Sequence, residues 1–129
     1  MITAVMTPLR ELGLFLLFGV IPACQDSDAP PKPGDPEAGA RVYGTYCFAC
    51  HQTDGRGVAA NGVRLAADFT DPAGPLTQSD EALLQVINTG RTGTIGSMPP
   101  WRGTLSGQQQ RDVLAHLRRA FAPPPATKD

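Results

Sequence analysis

The segment Cys47-Phe48-Ala49-Cys50-His51 contains the residues of this chain whose types and spacing are best suited to chemistry. The spacing C-x-x-C-H is typical of the attachment site of a c-type haem. Two thiols three residues apart can each form a thioether bond to a haem vinyl group, and the adjacent histidine can bind the iron. The pattern therefore predicts that Cys47 and Cys50 hold one covalent haem c and that His51 is its proximal iron ligand.

Two other interpretations of the same residues explain less. A zinc site made of Cys47, Cys50 and His51 lacks a fourth ligand at the usual spacing. A structural disulfide between the two cysteines would leave the adjacent His51 unexplained.

Met98 is the candidate for the second axial position, because it is the only methionine beyond the N-terminal apolar segment. A thioether sulfur is a soft, neutral ligand for haem iron, and His/Met ligation raises the reduction potential. Pro99 biases Met98 away from helical geometry, which favours a rigid loop. The alternative is a loop methionine that packs against Trp101. His116, the other histidine outside the motif, is interpreted as a packing or surface residue of a helix.

Three helices with capping signals are predicted to position these residues. Their spans are 36–46 after the cap Asp35, 80–88 after Ser79, and 107–121 after Ser106. Gly39 is expected to mark the close approach of another backbone. No alternation of apolar and polar residues indicates strands, and the segments 52–78 and 91–105 are predicted to be long loops. The predicted fold class is all-α, with three main helices and long loops wrapped around one covalent haem.

The N-terminal segment is predicted to direct export. Residues 12–21 form an apolar run after Arg10 that is too short to span a membrane and is typical of a signal peptide. The sequence Ile21-Pro22-Ala23-Cys24 resembles a bacterial lipoprotein cleavage box. We therefore predict a signal peptide at 1–23 and lipidation of Cys24. The alternative is an ordinary signal peptide that leaves Cys24 as a free thiol.

Composition predicts the extent of the folded domain and the kinds of partner that are expected. The acidic, proline-rich residues 24–35 are expected to form a tether, 36–122 one folded domain, and 123–129 a disordered tail. The formal net charge of the 129 residues is −1, and no basic stripe occurs, which excludes nucleic acid as an expected partner. A domain this small usually needs a metal, a disulfide or a cofactor to complete its core.

From about Pro36 to Phe121 the chain resembles a mono-haem class I cytochrome c of bacteria. The residues that carry the resemblance are the motif 47–51, Gly55, Gly57, the middle helix 80–88, Met98-Pro99-Pro100-Trp101 and the closing helix 107–121. The resemblance implies a small cytochrome c fold in which the first and last helices cross near Gly39 and Tyr43. It also implies haem attachment outside the cytoplasm, on the periplasmic side of the membrane.

Two departures from the family pattern affect the expected site. His116 stands where the family often has an aromatic residue. Residues 61–65 contain no proline, although in the family a proline carbonyl often orients the proximal histidine.

The predicted function is one-electron transfer between membrane-associated or periplasmic redox proteins, without enzymatic activity. The protein is expected to be lipid-anchored, or alternatively soluble in the periplasm. One alternative is an electron-accepting cytochrome subunit of a dehydrogenase or oxidase. Another is a haem protein that reacts with peroxide or a gas when Met98 detaches. Arg56, Arg64, Arg91 and Trp101 are candidate partners of the haem propionates, and none is preferred.

Overall fold

The structure, a computed structural model, describes residues 30–122. The predicted signal peptide, Cys24, the start of the tether and the C-terminal tail lie outside the described residues. Within the described range, no helix is both long enough and apolar enough to cross a membrane.

One continuous helical stretch contains the C-x-x-C-H segment. It consists of α1 (Pro36–Val42), a π-helical segment (Tyr43–Cys47) and α2 (Phe48–His51). The Asp35 side chain caps its start by accepting backbone hydrogen bonds from Glu37 at 2.9 Å and Ala38 at 3.4 Å. Such π turns are rare and frequently lie at functional sites. Here the π segment ends at Cys47, the first residue of the motif.

Two further helices follow the predicted capping signals. They are α3 (Asp80–Thr89), preceded by a short 3₁₀ turn (Pro75–Thr77), and α4 (Gly107–Phe121). Ser79 caps α3 by accepting a bond from the Ala82 backbone N–H at 3.3 Å. Ser106 and Gln109 form a reciprocal capping box at the start of α4. The three predicted N-caps are thus confirmed.

The prediction of an all-α fold is wrong, because the loops contain two antiparallel hairpins. Their strands are β1 (Ala59–Ala60), β2 (Val63–Arg64), β3 (Arg91–Gly93) and β4 (Gly96–Met98). Strands of two or three mostly exposed residues are too short to show an alternating pattern. The first hairpin did have a local signal, since Asn61-Gly62 turns with φ values of 51° and 75°, as expected for Asn-Gly in a tight hairpin.

The core forms where α1 crosses α4, and Gly39 makes this crossing possible. A Cβ atom placed at Gly39 would lie 1.9 Å from the carbonyl oxygen of Asp112 and 2.9 Å from the Cβ of His116. The prediction that Gly39 marks a close backbone approach is therefore confirmed. The buried apolar residues form one cluster that extends from these helices to α3 and the loops: Val42, Tyr43, Phe69, Leu76, Leu83, Ile87, Leu105, Val113, Leu114 and Leu117.

The last residues of the predicted tether are bonded to α4. The carbonyl of Lys32 accepts a hydrogen bond from Arg111, and that of Pro33 accepts one from Gln108, each at 3.1 Å. The backbone N–H of Asp35 donates to the carboxylate of Asp112 at 2.9 Å. The folded unit therefore includes residues that immediately precede α1.

Arg118 connects the end of α4 to the segment that leads into α3. Its guanidinium donates to the carbonyls of Leu76 and Gln78 and to the carboxylate of Asp80, the last at 2.8 and 2.9 Å. A planar guanidinium can serve several acceptors at once, which a flexible apolar side chain cannot. The buried carbonyl of Leu76 depends on this bond.

We expect Arg118→Met to lower the free energy of unfolding by about 2 kcal/mol, because a hydrogen bond to a charged group contributes about 1.5–3 kcal/mol. Only the bond to Leu76 is counted here, since the bonds to Gln78 and Asp80 are exposed and contribute little. Chemical denaturation of the haem-loaded protein measures the change. Arg119→Met is the matched control, since the Arg119–Glu37 ion pair is exposed at both partners and should contribute less than about 1 kcal/mol. Equal losses in the two variants would contradict the assignment.

Candidate haem site

Cys47, Cys50 and His51 occupy the last turns of the first helical stretch. Cys47 closes the π segment and is partly buried, whereas Cys50 is exposed, and both thiols are free. Burial raises the pKa of the Cys47 thiol to about 11, and neighbouring Cys50 adds to the shift. The thiol is therefore protonated at neutral pH.

Cys47 and His51 share one cavity with Met98. The remaining lining residues come from the π segment, α3, α4 and both long loops: Tyr43, Phe69, Ile87, Trp101, Leu105, Val113 and Leu117. This lining is dominated by apolar and aromatic side chains, as expected of a cofactor site. The cavity of about 20 Å³ is much smaller than a haem, so binding of a macrocycle must move the lining side chains apart.

A larger groove lies elsewhere but has no suitable donors. It has a volume of about 290 Å³, is open to solvent, and runs between the first helical stretch and α4, where Arg41, Thr45, Tyr46 and Asp112 are among its lining residues. It contains neither a thiol nor an imidazole. The donor chemistry therefore assigns the cofactor to the smaller cavity.

His51 has the properties expected of an imidazole ligand. Its ring stacks on Phe69, with 4.4 Å between the ring centroids and 17° between the planes. Its Nδ1 atom is buried and makes no hydrogen bond of normal geometry with the described residues, as is also true of Nδ1 of His116. Burial lowers the pKa of His51, and the nearby backbone of Ala67 opposes this shift. The ring is thus kept neutral, which metal coordination requires.

Met98 is held at the end of β4. It pairs with Arg91 in the second hairpin, and its partly buried side chain lines the cavity. The following segment docks on the end of α3 through bonds from the Trp101 N–H to the Ile87 carbonyl at 3.0 Å and from the Arg102 N–H to the Asn88 carbonyl at 3.1 Å. The hairpin up to Met98 and these two bonds after it hold the loop on both sides of this residue.

Gly90 permits this close approach at the end of α3. Its φ of 73° is unfavourable for other residues, and a Cβ there would lie 2.5 Å from the carbonyl oxygen of Met98 and 2.7 Å from the nitrogen of Pro100. The helix-terminating glycine therefore also makes room for the Met98 segment.

The other predicted candidates lie in different surroundings. His116 is at the α1–α4 crossing rather than in the cavity lining, with its ring centroid 5.2 Å from that of Tyr43 and 6.0 Å from that of Phe121. Burial and the charge of Arg119 lower its pKa, while Glu37 raises it. Trp101 lines the cavity.

Of the three arginines considered for the propionates, Arg64 already has partners within the chain. It donates to the carbonyl of Arg56 and pairs with Asp68 at 3.1 Å. Arg56 and Arg91 have exposed side chains.

Phe69 and Tyr43 make contacts at the motif that the sequence alone did not reveal. Phe69 is the only aromatic residue in the segment 52–78, and this was the one signal available for its contact with His51. Tyr43 was expected only at the helix crossing, but its hydroxyl also donates to the carbonyl of Gln52 at 2.6 Å, immediately after the motif.

A thiol, a neutral imidazole and a thioether line one apolar cavity, and a second thiol lies three residues from the first. This set indicates a c-type cytochrome domain, and the comparisons with known proteins agree. The chain belongs to the family described as cytochrome c oxidase, cbb3-type, subunit III, whose model matches residues 34–117. The resemblance to mono-haem class I cytochromes c is thereby confirmed. The two hairpins are compatible with this family.

Three curated relatives are similar to this chain. The cbb3-type cytochrome c oxidase subunit FixPc of Rhizobium leguminosarum bv. viciae is 32% identical over 87 residues, which are 67% of this chain and 28% of the relative. The gluconate 2-dehydrogenase cytochrome c subunit of Pantoea cypripedii is 32% identical over 97 residues, covering 70% and 21%. The subunit FixP of Bradyrhizobium sp. (strain ORS 278) is 38% identical over 81 residues, covering 61% and 26%. The chain thus spans less than a third of each relative.

Membership of this family establishes the cofactor and the general role. The domain binds covalent haem c and transfers electrons. Cys47, His51 and Met98 in the apolar lining, together with the nearby exposed Cys50, are donor types that suit this cofactor.

Proposed function

We propose that the domain is a one-electron carrier whose haem is attached through Cys47 and Cys50 and ligated by His51 and Met98. The observation that supports this assignment most strongly is the presence of Cys47, His51 and Met98 in the lining of one apolar cavity. When bound, the haem iron supplies the chemistry, since it accepts and releases a single electron. The protein residues attach it, orient it and keep water away from it.

Each side chain has a separate part in this mechanism. The two sulfurs fix the haem edge to the end of the first helical stretch. Stacking on Phe69 restricts rotation of the His51 ring, and the docked loop holds Met98 in place. A neutral thioether together with an apolar lining favours the less charged ferrous state and raises the potential.

The fixed loop around Met98 supports electron transfer over reaction with peroxide or a gas. A reactive haem needs an open axial position, so Met98 would have to leave the iron. The hydrogen bonds from Trp101 and Arg102 to the end of α3 oppose such a movement. We therefore propose that the protein is a carrier rather than an enzyme.

A second candidate function is suggested by the relatives. Two of them are named as oxidase subunits and one as a dehydrogenase subunit, so this chain could pass electrons within such a complex. Affinity purification from solubilised membranes distinguishes the two functions. A fixed stoichiometry with a catalytic subunit indicates a subunit, whereas recovery of the cytochrome alone indicates a free carrier.

We also propose that the haem acts on the periplasmic side of the membrane, with Cys24 as a lipid anchor and respiratory or periplasmic redox proteins as partners. Support comes from the apolar run at 12–21 and from the cysteine that follows it. Mass spectrometry of the mature N-terminus tests this proposal. A free amino group on a residue other than Cys24 would exclude the anchor.

We expect Met98→Ala to abolish the near-infrared absorption of a ferric iron–methionine bond and to lower the midpoint potential, because the sulfur ligand is lost. Optical spectroscopy and redox titration measure both effects. Ile95→Ala is the matched control, since Ile95 is an exposed apolar residue in the turn of the same hairpin. If Met98→Ala kept the absorption of the unmodified protein, His51/Met98 ligation would be wrong.

A further inference from the structure

The hydroxyl group of Tyr43 has no part in the function described so far, although it is buried beside the motif. Tyr43 is 5% exposed, and its hydroxyl donates to the carbonyl oxygen of Gln52 at 2.6 Å. The bond spans nine residues and encloses the whole segment Cys47–His51. Burial is the main cause of the raised pKa of Tyr43, so the hydroxyl keeps its proton and remains a donor.

Tyr43 also makes the backbone bond that defines the π segment. Its carbonyl accepts the N–H of Phe48, five residues ahead. Tyr43 therefore contacts Phe48, inside the haem-binding sequence, through its main chain and Gln52, the residue after that sequence, through its side chain.

Gln52 is the residue at which the chain turns sharply after His51. Its φ of 60° and ψ of 171° lie in a region that residues with a side chain rarely adopt. Such conformations persist only when the surroundings hold them. The Gln52 N–H donates to the Phe48 carbonyl at 2.8 Å, its side-chain amide donates to Ala49 at 3.2 Å, and Tyr43 holds its carbonyl.

The turn at Gln52 determines how the next segment returns to the motif. The carbonyl of Cys50 accepts a bond from Val58 at 2.7 Å, and that of His51 accepts one from Gly57 at 3.2 Å. The backbone of His51 is thus fixed by the segment that the turn brings back. The Gly55 N–H also approaches the Gln52 carbonyl, but at 3.4 Å, so the Tyr43 bond is the shorter of the two.

The ring of Tyr43 has a separate packing role. Its centroid lies 5.2 Å from that of His116 and 5.7 Å from that of Phe121. Phe121 in turn packs on Phe69, which stacks on His51. Substitution by phenylalanine keeps these aromatic contacts and removes only the hydroxyl.

We propose that Tyr43 is a positioning residue for the haem: its hydroxyl holds the strained turn at Gln52 and thereby sets the orientation of the His51 ring at the iron. This proposal rests on the proposed ligation by His51. Tyr43 itself need not touch the iron.

The experiment compares the haem-loaded full chain with Tyr43→Phe and with Tyr46→Phe. Tyr46 belongs to the same π segment, packs on Trp101 at 5.5 Å between centroids, and takes no part in holding Gln52. Two properties are measured. The spread of the paramagnetically shifted haem methyl resonances in the ferric protein reports the plane of the axial imidazole, and redox titration gives the midpoint potential.

We expect Tyr43→Phe to change the methyl pattern and lower the potential, because a loosened turn admits water beside His51 and favours the more charged ferric state. Tyr46→Phe should leave both properties as they are in the unmodified protein. If the two variants give the same methyl pattern and the same potential, the proposal is overturned.

The same substitution made in a Gln52→Gly variant shows whether Tyr43 acts through Gln52. Glycine adopts a positive φ without strain, so in Gln52→Gly the turn depends less on the hydroxyl. Tyr43→Phe should therefore have at most half its effect on both properties in that background. An undiminished effect would contradict the route through Gln52. If Tyr43→Phe alone does not load haem, restored loading in the double variant supports the proposal, and failure there overturns it.

The outcome remains separable from that of the proposed function. If the unmodified protein lacks the near-infrared absorption of a methionine-ligated iron, the proposed His51/Met98 ligation fails whatever Tyr43 does. If that absorption is present while Tyr43→Phe changes nothing, only the positioning role fails.

Discussion

Replacement of Cys47 and Cys50 together by serine is expected to give a chain to which no haem is covalently attached. Serine is close to cysteine in size, but its hydroxyl does not form the thioether bond. The loss should be essentially complete in the double variant. Each single variant should retain one bond and one unreacted vinyl group, which shifts the visible absorption of the denatured haem. Intact mass and haem staining after denaturing electrophoresis measure the attachment.

Ala49→Ser is the matched control for the cysteine variants. Ala49 lies between the two cysteines and is exposed, so a hydroxyl at this position should leave attachment unchanged. Covalent haem in the Cys47→Ser/Cys50→Ser variant would contradict the assignment of both thiols. Loss of haem from Ala49→Ser would show that attachment tolerates no change in the motif, and the cysteine result would then not be specific.

Gly39→Ala is expected to lower the free energy of unfolding by about 2 kcal/mol. A clash with backbone should cost the upper end of the overpacking range, about 3 kcal/mol, and alanine returns up to about 1 kcal/mol of helix propensity. The added methyl group would meet backbone atoms of Asp112, at 1.9 and 2.5 Å. Backbone cannot rotate away as a side chain can, so α1 and α4 must separate. Denaturant unfolding of the haem-loaded protein measures the loss.

Gly44→Ala provides the control for Gly39→Ala. Gly44 lies in the adjoining π segment, and a Cβ there would have nothing within 4 Å. This variant should be neutral or stabilised by up to about 1 kcal/mol. If the two alanine variants had equal stability, the close crossing of α1 and α4 would be contradicted.

The parts of the fold that the sequence predicted are those with strong local causes. Asp35, Ser79 and Ser106 each accept backbone bonds at the helix starts, and capping depends on residues only two or three positions apart. The close approach at Gly39 was also predictable, because glycine inside a helix needs a reason. The haem site was predicted from residue types whose spacing has few other uses, and the roles of its individual residues remain predictions.

The parts that could not be predicted depend on contacts between distant segments. The pairing of Arg91 with Met98 could not be predicted, because a strand of three residues is too short to show an alternating sequence pattern. The stacking of Phe69 on His51 results from the path of a glycine-rich loop, which no local preference determines. The hydroxyl bond from Tyr43 to Gln52 appears only when the π segment shifts the helix register, and this sequence contains no recognised signal for such a shift.

The second hairpin carries Met98, the residue proposed to raise the reduction potential, and it is a different part of the fold from the crossing of α1 and α4. Met98 is presented by a short exposed ladder and a docked loop, whereas α1 and α4 contribute Val42, Val113, Leu114 and Leu117 to the buried core. With Met98 as the proposed iron ligand, substitutions at the exposed positions of the hairpin are expected to alter the electron affinity and to leave the crossing of α1 and α4 in place. For protein engineering, exchange of this hairpin is a way to change the reduction potential of the domain, and so to suit it to electron donors and acceptors of different potential.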